Sequence, residues 1–450
     1  LIRETMVNLL LPIESTRREL DSKLLVALTA STAAMRVYFG QRDRLHAQDI
    51  APGIYLAKGV RRSATLSAMR GRGHRIVAMD EEGLVRFSGD AYRMRVQRGA
   101  LEIPEAFLAW GRDNAEAWRA LPHYRGQPIY ETGNPRFDFL RPELRALLEP
   151  RARRIVAGLG RFVLFNTNFS TVNHFIPGQD RMKRPRHVAR RDFERVREGI
   201  KAHKRVLFAA FRHLVPELAR AIAPRPLVIR PHPSENPQVW ESIAAHCDNV
   251  VVESGGGVAE WILASVAVVH NGCTSAIEAN LLGKPALAYE PSKSQGFDLE
   301  LPNSVSERFA SAGDLIARAR VLLADPPAPA PPTPLLKTHV SSLDGKLAAQ
   351  RVADALTRLA GSTERRASMA DRLVSAGLLR WRGVKTALSP AQRAYTSHKS
   401  DHLSLDDVKQ RVAQFQPFLG DSRRVVIEPV AEYVFSLYRD AGTHRGGTEE

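Results

Sequence analysis

Cysteine is nearly absent: Cys247 and Cys273 are the two in 450 residues. They share no metal-ligand spacing, which argues against a disulfide framework or a zinc site and fits a reducing cytoplasm. No apolar run approaches the roughly 20 residues that span a bilayer. The early segment MVNLLLPIE is too short for a signal peptide and closes on Glu14, so it reads as a first strand. Nor is there a Gly-x-Gly-x-x-Gly fingerprint after that strand, which argues against a dinucleotide site. Neither a metal nor a bound cofactor is expected.

Charge, in contrast, is one-sided. Sixty-five Lys and Arg against 48 Asp and Glu leave a formal net charge of +17. That excess suits anionic partners: nucleic acid, a nucleotide-activated substrate or an anionic membrane surface. The arginines are spread along the chain rather than gathered in one block, so background composition explains the excess at least as well; nucleic acid is not an expected partner. Hydrophobic content of 44% with 25% charged residues is ordinary for a globular protein. The length is too great for one core and predicts two domains with an appendage.

Short apolar runs alternate with helical patterns from the start. Strands are expected at 7–13, 36–40, 53–57, 74–79, 106–110 and 128–132, with amphipathic stretches such as RRELDSKLLVALTAS between them. A second series follows at 161–168, 226–230, 249–253, 266–270 and 285–290. Such alternation implies βαβ units and parallel sheets covered on both faces. The predicted fold is therefore α/β and GT-B-like, with two Rossmann-like domains facing a cleft. Expected boundaries are 1–155 for an acceptor or catalytic domain and 156–325 for a nucleotide-donor domain. A proline-rich linker, DPPAPAPPTP, covers 326–336 and is stiff and extended. The remainder, 337–450, is expected to be a mainly helical extension with a disordered end.

Four segments carry candidate chemistry. In VIRPHPSENP, Arg230 ends a strand and His232 lies between two prolines that restrict the backbone. Ligands bind at such strand ends in open α/β sheets, although an exposed turn histidine fits as well. In VVHNGCTSAIEANLLGKPALAYE, Gly272 permits a sharp turn and Thr274 or Ser275 can begin the next helix, whose free N–H groups suit an anion. Glu278 either forms a capping box with Ser275 or accepts from a ribose while the hydroxyl meets phosphate. Lys284 supplies either a cation or a solvated turn.

The segment VAMDEEGLVRFSG delivers Asp80, Glu81 and Glu82 to the mouth of the first sheet. A carboxylate there serves as general base or nucleophile, unless the loop is simply solvated. Glu82 is the carboxylate expected to act at the sugar's anomeric carbon, with Glu81 orienting Arg86 and Asp80 structural. Arg86 alternatively binds a sugar carboxylate. In TGNPRFDFL a turn aims Arg136 and Asp138 at the domain junction. Asn166, in NTNF at the end of the second domain's first strand, offers an amide to ligand. Beyond it NHFIPGQDRMKRPRH is basic and irregular, suiting a substrate loop.

RPHPSE and HNGCTSAIEANLLGKPALAY resemble the His-Pro and Ser/Thr motifs of capsule Kdo transferases, bacterial polysialyltransferases and teichoic-acid glycerophosphotransferases. EEGLVRFSG is similar to the Glu-Asp-Gly-Phe-Leu-Arg-Ser pattern of capsule β-Kdo transferases, with Glu82 in place of Asp. The resemblance spans roughly residues 6–325. It implies a GT-B glycosyltransferase of surface polysaccharide or lipopolysaccharide synthesis with a CMP-Kdo-like nucleotide-sugar donor. Glu82 or its neighbour would work on the sugar while His232, Ser275 and Glu278 hold the nucleotide. The acceptor would be lipid-linked or a polysaccharide; the basic excess, including the tail past residue 340, separately suits peripheral contact of a cytoplasmic enzyme with the anionic inner membrane. Alternatives are a non-hydrolysing UDP-sugar 2-epimerase-like enzyme and a non-catalytic scaffold of a polysaccharide assembly complex.

Overall fold

The structure is a computed structural model that describes residues 6–32, 35–60, 63–87, 99–178, 188–361, 367–390, 403–420 and 423–440, together with Tyr92, Val96, Arg184, Ala394 and Tyr395. Most of the expected basic loop at 179–187 and the expected disordered end at 442–450 lie outside these residues.

The apolar runs form strands because each is covered on both faces. Six make the parallel part of one sheet: β1 (Val7–Ile13), β2 (Met35–Gln41), β3 (Gly53–Ala57), β4 (Arg75–Met79), β5 (Ala106–Ala109) and β6 (Ile129–Glu131). The second sheet is parallel throughout and contains β7 (Val163–Asn166), β8 (Leu227–Arg230), β9 (Val250–Val252), β10 (Ala267–His270), β11 (Ala286–Tyr289) and β12 (Glu307–Phe309). Its order, β12-β11-β10-β7-β8-β9, reverses direction at the β7/β10 pair. That reversal opens a crevice beyond the strand ends, the ordinary ligand position in doubly wound sheets. The protein is thus α/β with two Rossmann-like sheets, the GT-B-like arrangement.

The remainder of the chain returns to the first sheet. Helices Ala348–Ala360 and Leu405–Phe415 pack on helix Thr16–Ser31, and helix Met369–Leu388 packs on Arg42–Ala47 and Ser63–Gly71. Asp138 anchors the first of these, its two carboxylate oxygens accepting from the amides of Ala348 (2.7 Å) and Ala349 (2.8 Å). Burial pushes the Asp138 carboxyl up to about 6 despite those bonds. Asp138 therefore caps a helix rather than facing the domain junction.

The last described residues are not helical. Strands β13 (Val425–Ala431) and β14 (Val434–Arg439) form an antiparallel hairpin, and β14 adds antiparallel to the edge of β2. The complete order is β13-β14-β2-β1-β3-β4-β5-β6. Val434, Phe435, Ser436 and Leu437 are all buried while the strand pairs with Val37 to Gly40, so both faces of β14 are covered. Gly40 is required at this seam, because a Cβ there would lie 2.1 Å from the Tyr433 carbonyl oxygen. The proline-rich stretch at 326–332 has no regular structure, and Thr333 is tied to the Asn280 side chain by two hydrogen bonds.

Phe435 stacks on Phe39 with ring centroids 5.8 Å apart. Phe435→Ala is expected to cost about 3–5 kcal/mol by leaving a cavity at this seam, measured by denaturant unfolding of the full chain. A loss under 1 kcal/mol would mean that the hairpin does not support the sheet.

Candidate active site

Strand ends of both sheets meet across a cleft of about 1540 Å³. On the second-domain side, β7 brings Asn166 level with Arg230 on β8 and with His270 on β10. The signals quoted from RPHPSE and HNGCTS thus flank one central strand. Asn166 lies at the reversal point, is buried, lines the cleft, and has neither amide atom hydrogen-bonded. Leaving such a group unpaired costs about 1–3 kcal/mol, so the site favours a polar ligand at this position.

The His232 loop is held from beneath by Glu235, which the sequence reading passed over. Its buried carboxylate accepts from the Thr167 hydroxyl (2.9 Å), the Phe169 amide (2.8 Å), the Trp240 indole (3.2 Å) and the His232 amide (3.3 Å). Burial raises the Glu235 carboxyl above its ordinary range, with these donors opposing. His232 Nδ1 accepts from the Ser234 amide at 3.2 Å, so the neutral ring carries its proton on Nε2. Tyr395 reaches the same loop, its hydroxyl donating to Ser234 Oγ at 2.8 Å.

The second motif turns at Gly272, whose φ of +76° suits glycine and whose amide donates to His270 Nδ1 at 3.0 Å. Burial holds His270 down at about 3, so the ring is neutral and donates through Nε2 to Ser306. Helix Thr274–Leu281 begins after Cys273, with Thr274 and Ser275 in its first turn and both lining the cleft. Ser275 contacts Cys273 Sγ. The capping box is not made: Glu278 accepts from Arg136 at 3.1 Å, across the cleft. Lys284 donates to the Ser265 carbonyl at 3.0 Å, on neither reading's terms.

Two further second-domain features escaped the sequence reading. Lys204, on helix Arg190–Ile222, is buried against the cleft and donates to the Asn271 carbonyl at 3.2 Å. Burial lowers its ammonium to about 8, with Cys273, Glu235 and Asp298 opposing. Arg230 donates to the carbonyls of Gly255 (2.9 Å) and Gly256 (3.0 Å) and lies 5.1 Å over Trp261. It organises the Ser254–Gly257 loop, which also lines the cleft. Three consecutive glycines between a strand and a helix were the available signal for that loop.

The three first-domain acids separate. Asp80 is buried and accepts from the Tyr92 hydroxyl at 3.1 Å, a structural role. Glu81 is buried and pairs with Lys23 at 2.6 Å and Lys58 at 3.9 Å. Burial raises its carboxyl, but the two lysines outweigh that and hold it below the usual range. Glu81 therefore does not orient Arg86, which pairs with Asp113 and lies 5.3 Å over Tyr92. Glu82, with a side chain 46% exposed, lines the cleft 3.9 Å from Arg18.

Arg136 is positioned by Asn134, which accepts from its amide at 3.0 Å and starts the short Pro135–Asp138 helix. Burial, then the Arg18 charge, lowers its guanidinium, while Glu278, Glu81 and Glu19 oppose. Glu19 in turn pairs with Lys58 at 2.5 Å. Among the described residues, no group of three or more His, Cys, Asp or Glu converges as a metal site.

No protein-family model and no curated protein matches the chain. Among solved structures, the chain is similar to a putative UDP-N-acetylglucosamine 2-epimerase from Listeria monocytogenes, at 13% identity and a TM-score of 0.48, covering 80% of this chain and 98% of that one. UDP-GlcNAc 2-epimerase from Methanocaldococcus jannaschii, in complex with UDP-GlcNAc and UDP, gives 9% identity and 0.49, covering 79% and 100%. The wall teichoic acid polymerase TagF soaked with CDPG gives 10% and 0.44, covering 78% and 88%.

Arg136→Ala leaves Glu278 buried without its partner. A loss of about 3–5 kcal/mol is expected. The double replacement Arg136→Met with Glu278→Leu should recover most of it, since both charges are then gone. Chemical denaturation of the two variants checks this, and equal losses in both would show that the pair does not join the domains.

Proposed function

We propose that the chain is a GT-B-type glycosyltransferase that takes a nucleotide-activated sugar and transfers it to an acceptor in surface-polysaccharide synthesis. The observation carrying this reading is the unpaired, buried Asn166 amide at the strand reversal. It shares the cleft with Lys204, His232 and the first turn at Ser275. These are donors, or a cation, gathered where an anionic leaving group needs them.

In the proposed reaction an acceptor hydroxyl attacks the anomeric carbon and Glu82 takes its proton. The bond from that carbon to the phosphate oxygen breaks, and its electron pair leaves with the nucleotide. Lys204, Asn166, Ser275 and His232 stabilise the developing phosphate charge. Glu82 suits this role better than Glu81 or Asp80, because those two are already engaged in buried pairs. No metal is required by this scheme. A CMP-activated, Kdo-like acidic sugar is the favoured donor, from the motif resemblance and from Arg18 beside Glu82, which offers a guanidinium to a sugar carboxylate. A thermal-shift comparison of CMP, CDP, UDP and GDP sugars tests that choice. Nucleotide release that requires acceptor would separate transfer from 2-epimerisation.

Asn166→Ala and Ser275→Ala should each weaken nucleotide binding about tenfold to a hundredfold, the loss of one hydrogen bond to a charged group. Glu82→Gln should bind donor normally and lose turnover by orders of magnitude. Calorimetry paired with a transfer assay measures both, and normal turnover by Glu82→Gln would remove the assignment.

Lys204 adds a pH signature. Phosphate favours its charged form, so nucleotide affinity should be full below about pH 8 and fall about tenfold per unit above it. Lys204→Met should bind weakly at every pH and lack this slope. A wild-type affinity that is flat across that range would exclude Lys204 from phosphate contact.

A further inference from the structure

Helix Met369–Leu388 packs with its polar side inward. Arg382 donates to Thr65 Oγ1 at 3.2 Å, and Ser375 lies against Gly71 of the Ser63–Gly71 helix. Leu379 is its one fully buried apolar side chain among the described residues. Met369, Leu373, Val374, Trp381, Val384 and Leu388 are each more than half exposed. At helical spacing these six fall within one half of the circumference, so they form an apolar strip facing solvent, with the exposed Arg380 on the same arc. A helix docked only to complete a core would present the opposite face.

The charges around the strip identify its occupant. With Arg382 turned inward, Arg372 and Arg380 stand in the described part of this helix against a single acid, Asp371. No helix among the described residues is long and apolar enough to cross a membrane. An apolar strip on a basic helix that does not cross matches the pattern of helices lying in the plane of an anionic bilayer surface. A second copy fits poorly, because a two-fold contact through this face would bring Arg372 and Arg380 against their own counterparts.

We propose that helix Met369–Leu388 is an interfacial anchor that inserts its apolar strip into an anionic phospholipid surface. The same helix supplies Leu379 and Arg382 to the cleft wall. Docking therefore sets the cleft's rim at the lipid headgroups, within reach of an acceptor carried by a lipid. The anchor stands apart from the nucleotide chemistry, and its test uses neither donor nor turnover.

Tryptophan supplies the readout. Trp110, Trp118, Trp240 and Trp261 are all buried, whereas Trp381 is 62% exposed. The full chain is mixed with vesicles of phosphatidylethanolamine and phosphatidylglycerol, or of phosphatidylcholine alone. Co-sedimentation with the anionic vesicles, a blue shift and quenching by lipids brominated in their acyl chains are expected. Leu373→Ser with Val384→Ser should reduce partitioning about tenfold or more. Arg372→Gln with Arg380→Gln should reduce it about 30-fold on anionic vesicles. Both variants alter exposed or half-buried surface positions and should melt as wild type does. Failure to bind would overturn the proposal, as would binding without acyl-chain quenching. So would a concentration-dependent dimer that the Leu373→Ser, Val384→Ser variant abolishes, since the strip would then be an interface between copies.

Discussion

Two parallel sheets whose carboxyl ends face one another must put charge into the space between them, and Arg136 with Glu278 is where that charge is reconciled. The pair is buried on both sides of the cleft. Around it Glu19, Lys58, Glu81 and Lys23 are neutralised within the first domain. Burial pushes the Glu19 and Glu278 carboxyls up and the Arg136 guanidinium down against their partners, whereas Lys23 and Lys58 hold Glu81 below its usual range. The cost of desolvation is met before a ligand arrives, so the cleft is a pre-organised polar environment rather than a wet gap.

This arrangement explains why one acid of three differs from its neighbours. Asp80, Glu81 and Glu82 leave the same strand end, yet the turn after β4 points them at different partners. The first meets an aromatic hydroxyl, the second meets lysines, and the third lies along the cleft near Arg18. Sequence identifies the cluster. It does not show the lysine partners of Glu81, because Lys23 and Lys58 come from a helix and a loop elsewhere in the chain.

The alternation of apolar runs made both parallel sheets legible, and β1 to β11 fall at or within a few residues of where those runs lie. The three-residue strand β12 at Glu307–Phe309 carries too few apolar positions to register. The hairpin at the chain's end was hidden for another reason. Pro429 and the charged residues around it argue against a central strand, and β13 tolerates both as the edge strand of the sheet, paired to β14 alone among the described strands. On the second-domain side the motifs lie at the ends of β8 and β10, on either side of β7. Lys204 was invisible because a lysine inside a 33-residue basic helix carries no mark of burial. Glu235 was quoted within its motif, yet its four donors come from separate segments that only the fold assembles.

The seam between β14 and β2 joins residues about 400 positions apart. Until residues 434–437 leave the ribosome, β2 presents an open edge of unpaired backbone groups, while every strand of the second sheet has already been made. On the ribosome, then, the second sheet has its full complement of strands before the first, and the nascent chain carries an unfinished sheet edge through most of its synthesis. Such an edge invites mispairing with neighbouring nascent chains on the same messenger, which makes the final hairpin a point of quality control for the whole protein.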